Sequence, residues 1–144
     1  MWVHDFLDRS AHRRPEKTAL ICDERRWSYA ELADASSRFA ALLHLQGIQP
    51  GDRVVIHLSN SAEAVISIFG TLKAGATFVP VNATTKPDKL EFILRNCRAT
   101  ALVTESHAAL AILAPWLRSV VRCGVAHGQA TGVDFASLAQ FPAQ

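Results

Sequence analysis

Short apolar runs of strand length alternate with amphipathic segments of helix length, and this alternation constrains the fold more than any other feature of the chain. The runs are rich in β-branched residues and occupy residues 53–58, 76–81, 101–104 and 120–125. Alternating strands and helices are typical of parallel sheets with right-handed crossovers. The sequence therefore predicts an α/β fold with a doubly wound, mostly parallel sheet and helices on both faces.

The chain ahead of these runs predicts a helix followed by a hairpin. Apolar residues recur at helical spacing within residues 2–13. Residues 18–22 and 26–29 read as the two arms of a hairpin around a polar turn. Because no internal repeat, low-complexity tract or linker interrupts the sequence, we expect residues 1–144 to form one domain.

Helix boundaries are marked by capping residues. Ser28 and Glu31 form the capping-box pattern of a helix that we expect to reach about Gln46 and to stop at Gly47. Four later helices are expected. The first is capped by Ser59 or Asn60 and ended by Gly75, and the second is opened by residues 86–88. The third lies at residues 107–117, where Pro115 bends it, and the fourth is a short helix at residues 135–139.

Composition and charge exclude several function classes. The net charge of +2 comes from 15 basic and 13 acidic residues without a basic stripe, so we expect no nucleic-acid partner. No run approaches the roughly 20 apolar residues of a membrane helix, and no signal peptide is recognisable, so a cytoplasmic location is expected without a membrane span. Cys22, Cys97 and Cys123 are widely spaced and are interpreted as reduced core thiols.

The usual catalytic and cofactor motifs of α/β proteins are missing from the sequence. Neither a GxGxxG nor a GxxxxGK[ST] phosphate loop is present, and Gly70 and Gly75 are interpreted as helix-packing and capping positions. The histidines form no metal-binding spacing, and His57 is interpreted as a hydrogen-bonded structural residue near a strand end. We therefore assign no catalytic residue and no metal ligand.

Two segments nevertheless form recognisable motifs. Residues 27–32 read Trp-Ser-Tyr-Ala-Glu-Leu, and residues 72–82 read Leu-Lys-Ala-Gly-Ala-Thr-Phe-Val-Pro-Val-Asn. These segments resemble the first two core motifs of the adenylate-forming (AMP-binding) superfamily, which includes the acyl-CoA synthetases. The residues of these segments have structural roles, because they cap one helix, end another and form a strand. The function is therefore implied by the resemblance alone.

The resemblance implies a reaction that needs more than this chain. Members use ATP and Mg²⁺ to convert a carboxylate into an acyl-adenylate, then pass the acyl group to the thiol of CoA or of a carrier protein. The phosphate loop, the acidic residue for the ribose and the mobile C-terminal domain with its lysine are not in this sequence. The chain is therefore expected to be an N-terminal subdomain that is inactive and binds no cofactor alone. Its implied partners are the remaining domains, and an apolar surface left uncovered by them is expected to self-associate.

Three residues bear on the acyl acceptor. Asn82 is common in acyl-CoA synthetases, whereas peptide-synthetase adenylation domains usually carry aspartate there, so the resemblance favours a CoA or acyl-carrier-protein ligase. Some CoA ligases place an arginine two residues later to hold the CoA phosphate, but this chain has Thr84. Lys86 is the nearest cation and is the candidate for that phosphate contact.

Other function classes remain open at this point. A stand-alone α/β binding or regulatory domain, a scaffold that pairs with a separately encoded remainder, and a fragment of a peptide-synthetase adenylation domain all fit the same pattern. Monomeric behaviour with a polar surface favours the first class, and rescue of a missing half in trans favours the second. A dehydrogenase domain is disfavoured by the absent glycine fingerprint.

Overall fold

The computed structural model describes residues 1–112, 116–124 and 132–143 and contains a hairpin, a parallel sheet and four α-helices. The strands are β1 Thr18–Cys22, β2 Arg25–Ser28, β3 Arg53–His57, β4 Thr77–Val81, β5 Ala101–Thr104, β6 Ser119–Arg122 and β7 Val133–Asp134. The helices are α1 Val3–Arg13, α2 Tyr29–Leu45, α3 Ala62–Lys73 and α4 Pro87–Asn96, with 3₁₀ helices at Ala108–Ala111 and Phe135–Gln140.

The main sheet has five parallel strands in the order β4-β3-β5-β6-β7. The separate pair β1 and β2 is an antiparallel hairpin. The parallel sheet confirms the prediction from the alternating apolar runs, and the hairpin confirms the prediction for residues 18–22 and 26–29. Strand β7 was not predicted, because its two residues carry too little periodicity to be recognised in a sequence.

Helices cover both faces of the sheet. Val54 and Ile56 of β3 pack in a cluster with residues of α1, α2 and α3, whereas Val55 packs in a second cluster with Leu90 and Leu94 of α4. Successive side chains of a strand point to opposite faces, so β3 contributes to both clusters. The doubly wound arrangement is therefore confirmed.

Helices α2 and α3 are packed at very short range around Gly70. An ideal Cβ atom at Gly70 would lie 2.6 Å from Cδ1 of Phe39 and 2.9 Å from the backbone oxygen of Ser36. The interpretation of Gly70 as a packing position is confirmed, because only glycine fits this separation.

The ammonium group of Lys73 joins three helices. Its Nζ lies 2.8 Å from a carboxylate oxygen of Asp8 on α1. The same nitrogen donates to the backbone oxygen of Ala33 at 3.2 Å and to Oγ of Ser37 at 2.9 Å, both on α2. The motif lysine therefore has a structural role.

From α1 to α4, the predicted helix ends are confirmed with one exception. Ser28 Oγ accepts from the Glu31 amide and the Glu31 carboxylate accepts from the Ser28 amide, both at 3.1 Å. Gly47 and Gly75 have left-handed φ values of 87° and 79°. The predicted cap of α3 at Ser59 or Asn60 is wrong, because Ser61 is the N-cap and its Oγ accepts from the Ala64 amide at 3.2 Å.

The last third of the chain departs most from the prediction. Within the described part of residues 107–117, only the 3₁₀ helix Ala108–Ala111 forms, because Ile112 is extended and packs into the α4 cluster. Pro115 lies outside the described residues, as does Val125 of the strand predicted at 120–125. The helix predicted at 135–139 is present as a 3₁₀ helix.

Candidate functional site

The carboxyl ends of β3 and β5 define the candidate site. These strands are neighbours in the sheet, but the chain leaves β3 towards α3 on one face and leaves β5 towards the 3₁₀ helix Ala108–Ala111 on the other. Connections that diverge in this way open a crevice between the strand ends, where ligands of open α/β sheets bind. The candidate site is therefore formed by the residues that end and follow β3 and β5.

A buried polar pair lies at the base of the crevice. His57 ends β3 and is 1% exposed, and its Nδ1 lies 2.8 Å from Oγ1 of Thr104 at the end of β5. The Thr104 oxygen also accepts from the Ser106 amide at 3.1 Å. His57 Nε2 has no hydrogen-bond partner among the described residues. The structural interpretation of His57 is confirmed, since the imidazole ties two strand ends together.

A carboxylate bridges the same two strand ends at the surface. Glu105 follows β5, and its Oε1 accepts hydrogen bonds from the backbone amide of Ser59 and, at 2.8 Å, from the Ser59 hydroxyl. These bonds also explain why Ser59 does not cap α3. Ser59 and Glu105 line a cavity of about 180 Å³ together with Leu58, Ser61, Glu63, Cys123 and Gly124.

The Cys123 thiol at this cavity is unsuited to nucleophilic chemistry. Burial raises its pKa well above the ordinary value, and the nearby carboxylates of Glu63, Glu105 and Asp134 raise it further. The thiol therefore stays protonated near neutral pH, and only a thiolate is an effective nucleophile. Cys22 and Cys97 are also free but only half-buried. Cys97 packs against the α4 cluster, whereas Cys22 packs in neither cluster, so the description as a core thiol is wrong for Cys22.

A larger cavity opens between the ends of β3 and β4. Its volume is about 500 Å³, and its wall includes Ile56, Asn60, Val81 and Thr84. Asn82 shapes the rim, because its Oδ1 accepts from both the amide and the hydroxyl of Thr84 at 3.0 Å. The motif residue Asn82 therefore fixes a turn at the edge of this cavity.

Lys86 lies beyond that rim. It is the N-cap residue of α4, is exposed, and makes no side-chain capping bond. Among the described residues, Lys86 is not in the wall of the cavity at Ser59 and Glu105 or of the cavity between the ends of β3 and β4.

Three residues that bridge β3 and β5 together with His57 were not predicted as site residues from the sequence. Ser59, Thr104 and Glu105 directly follow or end predicted strands, and a parallel sheet brings such positions to one edge. In the described residues, no group of three or more His, Cys, Asp or Glu side chains is placed to hold a metal ion. The described helices are also too short or too polar to cross a membrane.

Sequence comparison relates the chain to AMP-binding enzymes. Residues 7–140 match the family model described as AMP-binding enzyme. The chain is 40% identical over 111 residues to crotonobetaine/carnitine–CoA ligase of Escherichia fergusonii, covering 74% of this chain and 20% of that protein. It is 33% identical over 105 residues to tyrocidine synthase 2 of Brevibacillus parabrevis, covering 73% of this chain and 3% of that protein.

Structural comparison gives the same relationship. The chain superimposes on the crystal structure of the anthranilate CoA ligase AuaEII in complex with anthranoyl-AMP with a TM-score of 0.86 and 28% identity. The match covers 99% of this chain and 28% of that ligase. The chain therefore spans less than a third of the length of these relatives.

Proposed function

The chain belongs to the AMP-binding enzyme family of adenylate-forming ligases, and from this membership we propose that it is the N-terminal scaffold portion of an ATP-dependent carboxylate-activating ligase. The complete enzyme forms an acyl-adenylate with release of pyrophosphate and then transfers the acyl group to a thiol. Residues 1–144 fold as one domain and are inactive when they stand alone. ATP, Mg²⁺ and the acyl acceptor bind the complete enzyme.

The main support for this proposal is the small share of the related ligase that the chain covers. The family match extends over residues 7–140, yet the chain covers only 20% of the curated CoA ligase. The sequence also has no Gly-, Ser- and Thr-rich phosphate loop. Loops of this kind hold the nucleotide phosphates in many ATP-using enzymes. The proposal therefore places the reacting groups on the part of the enzyme that lies outside this chain.

The groups at the carboxyl edge support a positioning role. Ser59 and Glu105 are bonded to each other, His57 is bonded to Thr104, and the Cys123 thiol is protonated. A general base or nucleophile must reach a reacting atom with a suitable pKa. The protonated Cys123 thiol does not meet that requirement, and the other groups bridge the strand ends. The crevice is therefore proposed to serve as one wall of the complete acyl-activating site.

We propose CoA as the acyl acceptor. The support is the 40% identity to a CoA ligase. The turn at Asn82 carries no such preference, because an aspartate would accept the same bonds from Thr84. Lys86 is exposed two residues beyond Thr84 and is proposed to contact a CoA phosphate in the complete enzyme. A carrier-protein thiol is the second candidate acceptor, supported by the 33% identity to tyrocidine synthase 2.

An exchange assay tests the proposal. The isolated chain is incubated with ATP, Mg²⁺, labelled pyrophosphate and a panel of aliphatic, aromatic and amino acids, and we expect no exchange above background. The chain is then co-expressed with a crotonobetaine/carnitine–CoA ligase from which the equivalent N-terminal segment is deleted. We expect exchange to return, and acyl-CoA to form when CoA is supplied.

Several outcomes would contradict the proposal. Exchange by the isolated chain would refute its inactivity. No exchange from a complex that co-purifies as one species would favour a stand-alone binding domain. In the active complex, Lys86→Gln should raise the KM for CoA several-fold and leave the exchange step unchanged, whereas Lys89→Gln on the same helix is the charge-matched control.

A further inference from the structure

A second cavity lies at the amino edge of the main sheet, opposite the crevice. Its volume is about 560 Å³, and it is lined by Arg53, Arg95, Arg98, Thr100 and Trp116. Arg53 begins β3, Thr100 immediately precedes β5, and the other two arginines lie at the carboxyl end of α4. This volume is typical of small-molecule sites, and the proposed function does not use it.

One of the three arginines has a structural role. Arg53 Nε donates to the backbone oxygen of Cys97 at 2.8 Å, and its other nitrogens donate to the oxygens of Arg98 at 3.3 Å and Gly51 at 3.2 Å. The bonds to Cys97 and Arg98 satisfy carbonyls at the end of α4, which lack partners within the helix. Arg53 is thereby fixed in the wall of the cavity.

The other two arginines differ in their partners. Both are exposed, and the Arg98 side chain makes no hydrogen bond or ion pair with any described residue. Arg98 also adopts a left-handed φ of 52° at the position after a helix where glycine is strongly preferred. Arg95 pairs with Glu91 at 3.1 Å and lies 5.5 Å from the centroid of the Trp116 ring.

The charge and shape of this cavity define the ligand that fits it. Three guanidinium groups line the cavity, and the Glu91 carboxylate pairs with the guanidinium of Arg95, which leaves an excess of two positive charges among these described residues. A phosphate monoester carries about −1.5 to −2 charges at neutral pH, and the guanidinium fork matches its oxygens. The indole of Trp116 offers a flat apolar wall for a stacked ring.

We propose that this amino-edge cavity binds a nucleoside monophosphate, with the phosphate on Arg95 and Arg98 and the base against Trp116. The site is separate from the carboxyl-edge crevice, because the two lie at opposite ends of the same parallel strands. Binding at this cavity can therefore be tested independently of the proposed ligase function.

The test is an NMR titration of the full chain with AMP, adenosine and inorganic phosphate as separate probes. The indole N–H signals of Trp2, Trp27 and Trp116 are assigned from single Trp→Phe variants. We expect AMP to shift the Trp116 signal in a saturable manner, with an affinity at least tenfold above that for adenosine or phosphate. The Arg95→Gln/Arg98→Gln variant should weaken AMP binding about tenfold or more, since it removes the charge-assisted hydrogen bonds from both guanidinium groups to the phosphate.

Matched controls keep the proposal falsifiable. Arg26→Gln removes an exposed arginine of the hairpin and should leave AMP binding unchanged. Absence of a saturable shift at 10 mM AMP, equal affinity for AMP and inorganic phosphate, or full binding by the double arginine variant would each overturn the site. A wild-type-like spectrum outside the cavity verifies that the double variant is folded.

Discussion

Replacing Gly70 with alanine adds one methyl group at the contact between α2 and α3, where there is no room for it. The added Cβ would lie 2.6 Å from Phe39 Cδ1, 2.7 Å from Phe39 Cβ and 2.9 Å from the Ser36 backbone oxygen. Non-bonded carbon atoms are normally separated by about 3.5–4.0 Å. The helices must therefore move apart, or the fully buried Phe39 ring must leave its position.

Two opposing terms set the size of the effect. Overpacking a core usually costs about 1–3 kcal/mol. Alanine is favoured over glycine within a helix by about 0.8–1.0 kcal/mol, which offsets part of that cost. Because two of the three close contacts involve backbone-proximal atoms that cannot rotate away, we place the overpacking term near the upper end of its range. The net loss in the free energy of unfolding is then about 1–2 kcal/mol.

Urea denaturation followed by circular dichroism measures this loss. We expect a single transition with a lower midpoint and an unchanged slope, which assigns the shift to stability rather than to compactness. Phe39→Leu removes the ring atom nearest the new methyl group, so Gly70→Ala should cost less in that background. Higher stability of Gly70→Ala, or an equal cost in both backgrounds, would refute the close-packing explanation.

The remaining predictions concern the half-buried Lys73, the buried Cys123 thiol and the exposed start of α1. Lys73→Met should lower the free energy of unfolding by about 1–3 kcal/mol in urea denaturation, because it leaves partners on two helices without their donor; a neutral effect would contradict the joining role. Iodoacetamide at pH 8.5 should leave Cys123 unmodified in the folded chain by mass spectrometry, because its raised pKa keeps it protonated, and should modify it in urea. The folded thiol keeps its proton, whereas the unfolded thiol ionises near pH 8.5. The free energy of unfolding therefore decreases as the pH rises above about 8.5. Trp2→Ser/Phe6→Ser should reduce dye binding and self-association, since these side chains are 72% and 60% exposed; undiminished dye binding would place the apolar surface elsewhere.

The candidate site was only partly accessible from the sequence. His57 was recognised at a strand end, but its partner Thr104 is 47 residues away and becomes adjacent only when β3 and β5 pair. The bond between Ser59 and Glu105 has the same origin. Ser59 looked like a helix cap because local sequence contains no sign of this distant acceptor.

The sequence by itself determined the order of helices and strands over the first two thirds of the chain. Its signals there are local: the capping box at Ser28, the left-handed glycines at positions 47 and 75, and the apolar runs of the strands. Tertiary structure decided what followed. The segment at residues 107–117 has helical composition, yet Ile112 is extended because packing in the α4 cluster outweighs its weak local preference. The order of strands, and with it the two opposite edges that carry the crevice and the arginine cavity, depends on pairing between residues far apart in the chain, which no local pattern encodes.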